Sequence, residues 1–207
     1  MNIGDTVLAG LINGPMGYSQ VKEIHSDHII IEPNFNTEPP KPTPITLILA
    51  LPRPKMLRRI LRNVSMLGVK NIYLINTYKV EKAFWNSKLL KDNCYENYLL
   101  QGLGQSKDTI VPTLHLKNRF KPFAEDELPE IIKGTIALAA HPGDFEPYPQ
   151  GISEDITLAI GPEGGFTKYE IEKLNEAGFK SVHCGSRILR TETAVVALIS
   201  QHKSFLR

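Results

Sequence analysis

The sequence predicts an α/β protein in which helices cover a mainly parallel sheet and a smaller β region comes first. Three observations predict this fold. Short apolar runs alternate with amphipathic stretches from residue 45 onward. These runs are apolar throughout, which is typical of parallel strands buried on both faces. The first 32 residues instead hold short runs separated by turn residues. With 207 residues, 42% of them hydrophobic, the chain is long enough to bury such a core.

Residues 3–32 are typical of a three-strand β meander. Apolar or alternating runs cover 6–12, 18–24 and 28–32, and the turn signal Asn13-Gly14-Pro15 separates the first two. Residues 33–44 carry five prolines and no periodicity, which is a linker composition. We therefore predict a boundary near residue 42, with one domain over residues 1–41 and another over residues 42–207.

The second predicted domain begins with a βαβ unit. A buried strand over 45–50 leads into a helix over 55–67 with one apolar face, Gly68 ends that helix, and a second strand covers 71–75. Further strands are predicted at 134–140 and 156–160. Further helices are predicted at 91–102, 168–177 and 195–200.

The net charge of +2 conceals two charged segments of opposite sign. Residues 41–91 carry +10, with eleven Lys and Arg against Glu81 alone, and residues 122–176 carry −9. Five basic residues crowd the first helix and its flank, namely Arg53, Lys55, Arg58, Arg59 and Arg62. Such a cluster is typical of an RNA-binding surface, and an ordinary solvated helix face is the alternative.

Several classes of protein are disfavoured. No apolar run approaches the roughly 20 residues that span a bilayer, and the first residues lack the pattern of a signal peptide. Cys94 and Cys184 fit neither a metal-ligand spacing nor a disulfide framework. We therefore expect a cytoplasmic protein that has no membrane partner and no metal site.

A glycine-rich loop follows the strand at 156–160. It reads Gly161-Pro162-Glu163-Gly164-Gly165, and the helix after it begins with Thr167 and Glu170 at the spacing of a capping box. Backbone amides at a strand-to-helix junction can approach a ligand closely. The loop matches neither the P-loop nor the dinucleotide-binding spacing, and a tight turn before a capped helix is the alternative interpretation.

A second polar motif spans residues 184–194, between the end of a strand and an apolar helix. It reads Cys184-Gly185-Ser186-Arg187-Ile188-Leu189-Arg190-Thr191-Glu192-Thr193-Ala194. Thr191 or Thr193 could cap the helix, and Glu192 would favour its N-terminus. Capping explains the threonines better than it explains Arg187 and Arg190, which are costly to leave without partners.

Taken together, in this order and at this spacing, the two motifs resemble the signature of the RsmE family of SPOUT-class RNA methyltransferases. The resemblance covers nearly the whole chain: residues 49–69 resemble the family's first βα unit, and residues 3–32 resemble part of its N-terminal PUA-like barrel without the first strands. It implies a trefoil-knotted sheet and a homodimer. It also implies methylation of N3 of a uridine in 16S ribosomal RNA, free or in the assembled small subunit, with S-adenosylmethionine as cofactor.

The resemblance further implies a cofactor pocket built from the segments around 138–142, 160–165 and 184–194. Its implied cofactor-binding residues are Leu138, Ala140, Ile160, Gly161, Glu163, Gly164, Gly165, Cys184, Gly185, Ile188, Leu189, Arg190, Thr193 and Ala194. Arg190 is the expected catalytic residue, because a guanidinium can stabilise the uracil anion that develops. Glu192 is the second catalytic candidate, as a base, and it could instead orient Arg190 or favour the helix terminus. His141 follows a strand at the same pocket, although a lone histidine is more often structural.

The chain departs from the family pattern at two places that the resemblance assigns to substrate contact. Many relatives carry Lys and Glu where this chain has Asn63 and Met66. The family's Gln-x-x-Arg element reads Gln105-Ser106-Lys107-Asp108 here. Two other functions stay open within the fold: methylation of a different RNA position, such as a ribose 2′-oxygen in transfer RNA, and RNA binding without catalysis. An unrelated phosphate-binding α/β enzyme would require the paired motifs to be a coincidence.

Overall fold

The computed structural model describes residues 1–205 and contains two β-sheets. The strands are β1 Thr6–Gly10, β2 Met16–Ile24, β3 Ile29–Glu32, β4 Ile45–Ala50, β5 Asn71–Ile75, β6 Thr113–Lys117, β7 Ile136–Ala140, β8 Glu146–Pro147, β9 Ile156–Ile160 and β10 Lys180–His183. The helices are α1 Pro54–Met66, α2 Lys82–Trp85, α3 Lys88–Lys91, α4 Glu96–Ser106, α5 Phe120–Pro122, α6 Leu128–Ile131, α7 Lys168–Glu176 and α8 Thr191–Ile199. A π-helical turn over Phe123–Glu127 joins α5 to α6, and a 3-10 turn covers Lys203–Phe205.

The small sheet is the predicted three-strand meander. Strands β1, β2 and β3 pair in that order, and both pairings are antiparallel. The turn between β1 and β2 docks on the segment that follows α4: the Thr109 hydroxyl donates to the Gly14 carbonyl at 2.5 Å, and the Val111 amide donates to Asn13 Oδ1 at 2.9 Å. Two side-chain-to-main-chain hydrogen bonds therefore tie the small sheet to the rest of the chain.

The large sheet has seven strands in the order β6-β5-β4-β9-β7-β10-β8, and all six pairings are parallel. All five residues of the central strand β9 are buried, so both faces of the sheet are covered there. Helix α1 contributes Leu57, Ile60 and Leu61 to the core, each 1% exposed or less. The predicted mainly parallel, helix-covered sheet is confirmed. Within residues 1–205, no helix is both long and apolar enough to cross a bilayer.

Two predicted helix boundaries are wrong. The helix expected over 91–102 lies at Glu96–Ser106, because Asn93 adopts a left-handed conformation with φ of 52° and separates α3 from the turn before α4. The helix expected over 195–200 begins four residues earlier, at Thr191. Neither threonine caps it, because the N-cap residue is Arg190 and no side chain accepts from the helix amides. Strand β6 was not predicted.

Three neighbouring strands of the large sheet, β9, β7 and β10, end at the same edge. They pair side by side with Leu138 opposite Leu158 and Val182 opposite Ala140. Because the pairings are parallel, the loops after the three strands meet at the carboxyl edge of the sheet, where open α/β sheets bind their ligands. These loops contain His141, the glycine-rich stretch from Gly161 and the motif from Cys184.

Candidate functional site

The three loops enclose a cavity of about 470 Å³ at the carboxyl edge of the sheet. This volume lies in the range of small-molecule sites, about 300–1,000 Å³. The cavity is lined by Ala140, His141, Pro142, Gly143, Ile160, Gly161, Pro162, Glu163, Gly165, Cys184, Gly185, Ser186, Arg187, Ile188, Leu189, Arg190, Thr191 and Ala194. The two sequence motifs, which lie about twenty residues apart in the chain, therefore line the same cavity.

Eleven of the fourteen residues expected to bind cofactor line this cavity, and three do not. Leu138 lies inside β7 and is 2% exposed, so its side chain belongs to the core. Gly164 belongs to the glycine loop, but its carbonyl accepts a hydrogen bond from Lys79 Nζ. Thr193 is exposed on the first turn of α8. For these three residues, contact with a cofactor stays a prediction without support from the cavity wall.

The glycine loop is fixed by the N-terminus of α7. The predicted capping box is present: the Thr167 hydroxyl accepts from the Glu170 amide, and Glu170 Oε2 accepts from the Thr167 amide at 2.8 Å. Gly165 has a φ of +70°, a conformation that L-residues with a side chain rarely adopt. The turn closes with a 2.7 Å hydrogen bond from the Gly165 amide to the Pro162 carbonyl. This part of the cavity wall is therefore a hydrogen-bonded turn held by the helix terminus.

A second loop, residues 76–80 after β5, holds the glycine loop from outside. The Tyr78 amide donates to Glu170 Oε1 at 2.7 Å, and Lys79 Nζ donates to the Gly164 carbonyl at 2.6 Å. Glu170 is only 3% exposed, so its carboxylate joins the two loops from a buried position. Sequence reasoning assigned Glu170 to the capping box alone. No local pattern could have shown the other contacts, because the partners lie 92 and 85 residues apart.

Replacing Glu170 with glutamine is expected to lower the free energy of unfolding by about 1–3 kcal/mol, because an amide nitrogen cannot accept the hydrogen bonds made to one of the two carboxylate oxygens. Urea denaturation measures this change. Glu172→Gln is the matched control: this side chain is more than half exposed on the same helix, and within the described residues its one ion pair is with Lys168, at 3.8 Å. It should shift stability by less than about 0.5 kcal/mol. Equal effects for the two variants would contradict the joining role of Glu170.

The opposite wall of the cavity is the N-terminal end of α8. The Arg190 carbonyl accepts from the amides of Thr193 and Ala194 at 3.0 and 2.9 Å, which fixes its main chain, while its side chain is exposed. The Arg190 guanidinium has no salt bridge within residues 1–205. Glu192 is half-buried in the first turn of α8, where a carboxylate favours the helix terminus, and it makes no ion pair with Arg190 in the described chain.

His141 lies in the cavity wall and differs from an ordinary structural histidine. Its Nδ1 is buried without a hydrogen-bond partner in the described part of the chain. Burial, followed by the charge of Lys79, lowers the pKa of His141, so the ring is neutral at pH 7. Tyr148 Oη is likewise buried without a partner, and burial with a smaller contribution from nearby Cys184 raises the pKa of Tyr148 to about 12. Of these two groups, only His141 is among the residues that line the cavity, and its unpaired Nδ1 is suited to a ligand that completes its hydrogen bonds.

The five basic residues predicted to contact RNA all lie at the surface. Arg53 is the N-cap residue of α1, and Lys55, Arg58, Arg59 and Arg62 are exposed along that helix. The guanidinium carbons of Arg58 and Arg62 lie 5.7 and 5.0 Å from the centre of the Tyr98 ring on α4. This ring orders two of the cations without neutralising them.

Comparison with known proteins supports the functional class. The family model described as an RNA methyltransferase domain matches residues 39–203. The ribosomal RNA small subunit methyltransferase E of Treponema pallidum is 29% identical over 95% of this chain and 76% of its own length. The corresponding protein 1 of Borreliella burgdorferi is 28% identical over 73% of this chain and 63% of its own length, so the match leaves more than a third of that relative uncovered.

A solved structure shows the same fold. The ribosomal RNA small subunit methyltransferase E of Neisseria gonorrhoeae, bound to S-adenosyl methionine, superposes with a TM-score of 0.76 over 97% of this chain and 83% of its own, at 22% identity. The match confirms the overall α/β architecture, and the relatives confirm the resemblance that the two motifs indicated. Since the family model covers most of the sequence, the chain belongs to the RNA methyltransferase domain family.

Proposed function

We propose that this protein uses S-adenosylmethionine to methylate N3 of a uridine in the 16S ribosomal RNA of the small ribosomal subunit. The observation that carries the proposal is the cavity formed where the two motifs meet at the carboxyl edge of the sheet. The names of the relatives from Treponema and Borreliella support a ribosomal RNA substrate. The cofactor bound to the Neisseria protein supports S-adenosylmethionine.

The residues of the cavity fit this cofactor. Apolar side chains such as Ile160, Leu189 and Ala194 suit an adenine ring, and the backbone at Gly161 and Gly185 leaves room for close approach. The unpaired Nδ1 of His141 offers a polar partner at the same wall. When bound, S-adenosylmethionine supplies an electrophilic methyl group. The protein holds it, shields it from water and orients it toward the base.

The reaction at uracil requires that negative charge on the ring be stabilised while the N3 proton leaves. Arg190 is suited to this task, because its guanidinium stays charged and can donate two hydrogen bonds in one plane to a uracil oxygen. Its main chain is fixed, and its exposed guanidinium makes no salt bridge within residues 1–205, so the guanidinium is available to the substrate. Glu192, two residues further along in the first turn of α8, is the proposed base that accepts the N3 proton, although it is not among the residues that line the cavity. Arg190 and Glu192 are therefore the proposed catalytic residues.

The proposal extends to the architecture. We infer a trefoil knot made by the segments around 138–142, 160–165 and 184–194, supported by their convergence on one cavity. We assign residues 1–41 to part of a PUA-like RNA-binding domain and residues 42–207 to the methyltransferase domain.

The protein works as a homodimer, in the cytoplasm where ribosomal subunits assemble. Light scattering of the purified protein measures its mass in solution. The mass of a monomer would contradict the proposed homodimer.

Two measurements test the proposed activity. Titration calorimetry should show binding of S-adenosylmethionine, and labelled cofactor should transfer its methyl group to small subunits that lack the modification. A folded protein that binds no S-adenosylmethionine contradicts the proposal. Binding without transfer would favour a knotted RNA-binding protein without catalysis. Transfer to transfer RNA rather than to small subunits would favour a different RNA target.

Affinity for RNA should fall steeply as salt increases, because exposed cations on α1 would displace counterions from phosphates. Filter binding at several salt concentrations measures the slope of log K against log salt. The double variant Arg53→Gln, Lys55→Gln should flatten this slope by about 1.5, since each phosphate contact contributes about 0.7–0.9. Lys133→Gln, on the acidic segment and 76% exposed, is the control and should leave the slope unchanged. If the double variant leaves the salt slope unchanged, this flank of α1 does not contact RNA.

A further inference from the structure

We propose that Lys79 is a positioning residue for the cofactor: its ammonium group holds the main chain of the glycine loop in the orientation that binds S-adenosylmethionine. This inference rests on the proposed function. Lys79 lies on the loop over residues 76–80 after β5, outside both sequence motifs, and it is not among the residues that line the cavity. It therefore acts on the cofactor through Gly164 rather than by direct contact.

The peptide unit between Gly164 and Gly165 is held at both of its polar ends. The Gly164 carbonyl accepts a hydrogen bond from Lys79 Nζ at 2.6 Å, and the Gly165 amide donates to the Pro162 carbonyl at 2.7 Å. A peptide unit between two glycines can rotate at little steric cost, because neither neighbour has a Cβ atom. These hydrogen bonds therefore select its orientation, and Lys79 supplies the one that comes from outside the loop. Since Gly165 lines the cavity, this orientation also sets the shape of the wall.

Lys79 is itself held in place. A Cβ atom at position 164 would lie 2.8 Å from Lys79 Cδ, so the methylene chain of Lys79 packs closely over Gly164. The amide of the preceding residue, Tyr78, donates to Glu170 Oε1 at 2.7 Å, and Glu170 is 3% exposed. The ammonium group therefore extends from an anchored main chain, and the donor is in place before the cofactor binds.

The charge of Lys79 also reaches the wall that faces the glycine loop. His141 lines the cavity, and its Cε1 lies 3.7 Å from the point that a Cβ atom at Gly165 would occupy. Burial, followed by the charge of Lys79, lowers the pKa of His141. On the loop after β10, burial raises the pKa of Cys184, so this thiol is neutral. The other charged residues of the lining are exposed, namely Glu163, Arg187 and Arg190. Lys79 thus helps to keep His141 neutral, and a neutral ring does not repel the positively charged sulfonium of the cofactor.

The test compares two substitutions of Lys79 with one of a neighbouring lysine. Lys79→Met keeps an unbranched chain without a donor, and it should bind S-adenosylmethionine about tenfold more weakly in titration calorimetry, the effect of losing one hydrogen bond from a charged group. Lys79→Arg restores a cationic donor and should bind within about threefold of the unchanged protein. Lys82→Met is the matched control, because Lys82 is also exposed and lies three residues further along. It should bind within about twofold of the unchanged protein.

Two further measurements separate positioning from a merely structural role. At saturating S-adenosylmethionine, Lys79→Met should transfer the methyl group at a rate within about twofold of the unchanged protein, because Lys79 does not line the cavity. An NMR titration without cofactor should show a higher pKa for His141 in Lys79→Met, since removing a nearby cation favours the protonated ring. Lys79→Arg and Lys82→Met should leave that titration unchanged. The His141 signal is identified by its absence from the spectrum of His141→Gln.

The outcomes distinguish this inference from the proposed function. If the unchanged protein binds S-adenosylmethionine and Lys79→Met binds it as tightly as Lys82→Met does, the role of Lys79 alone is overturned. If Lys79→Arg loses as much affinity as Lys79→Met, the hydrogen bond to Gly164 does not position the loop and the inference is again wrong. If the unchanged, folded protein binds no S-adenosylmethionine, both proposals fail.

Discussion

Replacing Arg190 with alanine is expected to slow methyl transfer by about 10²–10³-fold, the usual effect of removing one donor that stabilises a developing anion. Affinity for S-adenosylmethionine should stay within about threefold, because the main chain at Arg190 is held by hydrogen bonds from Thr193 and Ala194 that the substitution retains. Single-turnover transfer to unmethylated small subunits measures the chemical step. Calorimetry measures the cofactor affinity separately.

Arg187→Ala is the matched control for Arg190→Ala. Arg187 is also an exposed arginine in the cavity lining, and it carries the same charge three residues earlier. A role in catalysis predicts a much larger loss of rate for Arg190→Ala than for Arg187→Ala. A general attraction for RNA instead predicts equal losses of rate for the two variants, and both losses should shrink at high salt because salt screens exposed charges. Transfer by Arg190→Ala at a rate near that of the unchanged protein would exclude Arg190 as the stabilising residue.

Replacing Gly165 with valine is expected to weaken binding of S-adenosylmethionine by about 30-fold or more, since a distortion that costs about 2 kcal/mol of binding energy has this effect. Gly165 lines the cavity with φ of +70°, a conformation that a β-branched residue cannot adopt without strain. An added Cβ would also lie 3.7 Å from the His141 ring, so a larger side chain presses on the facing wall. Calorimetry on the folded variant measures the loss.

Gly134→Val provides a control with the same backbone strain. Gly134 has a φ of +76°, and an added Cβ there would meet no atom within 4 Å. Both variants should lose similar stability in urea denaturation, and only Gly165→Val should lose cofactor affinity. If both bind S-adenosylmethionine equally well, the glycine loop does not form the cofactor wall.

The features that sequence reasoning predicted are those set by local pattern. The buried strands β4 and β9 have uninterrupted apolar runs, and Thr167 and Glu170 stand at the spacing of a capping box, so each could be identified without its neighbours. The two motifs came together because parallel strands end at one edge of a sheet. The convergence of their residues on one cavity followed from these local facts and from the resemblance to a known family.

The features that escaped prediction depend on distant partners. Lys79 contacts the glycine loop at Gly164 across 85 residues of sequence, and Tyr78 contacts Glu170 on α7 across 92 residues. No periodicity in the segment of Lys79 and Tyr78 marks these contacts. The early start of α8 was hidden because Thr191 and Glu192 are polar, although Thr191 is only 5% exposed in the fold. The close packing of α1 against α4 at Gly102 also depends on segments that are distant in the sequence: a Cβ there would lie 2.5 Å from the Arg62 carbonyl oxygen.

The most direct test of the proposed activity is the identity and position of the methylated nucleoside. Small subunits that lack the modification would be incubated with the protein and S-adenosylmethionine, and their 16S ribosomal RNA would be digested and mapped by mass spectrometry. We expect one 3-methyluridine that is absent from the control without protein and strongly reduced with Arg190→Ala. A methyl group on a ribose 2′-oxygen, or no new methylated nucleoside from a folded protein that binds the cofactor, would contradict the assignment of uridine N3 as the target.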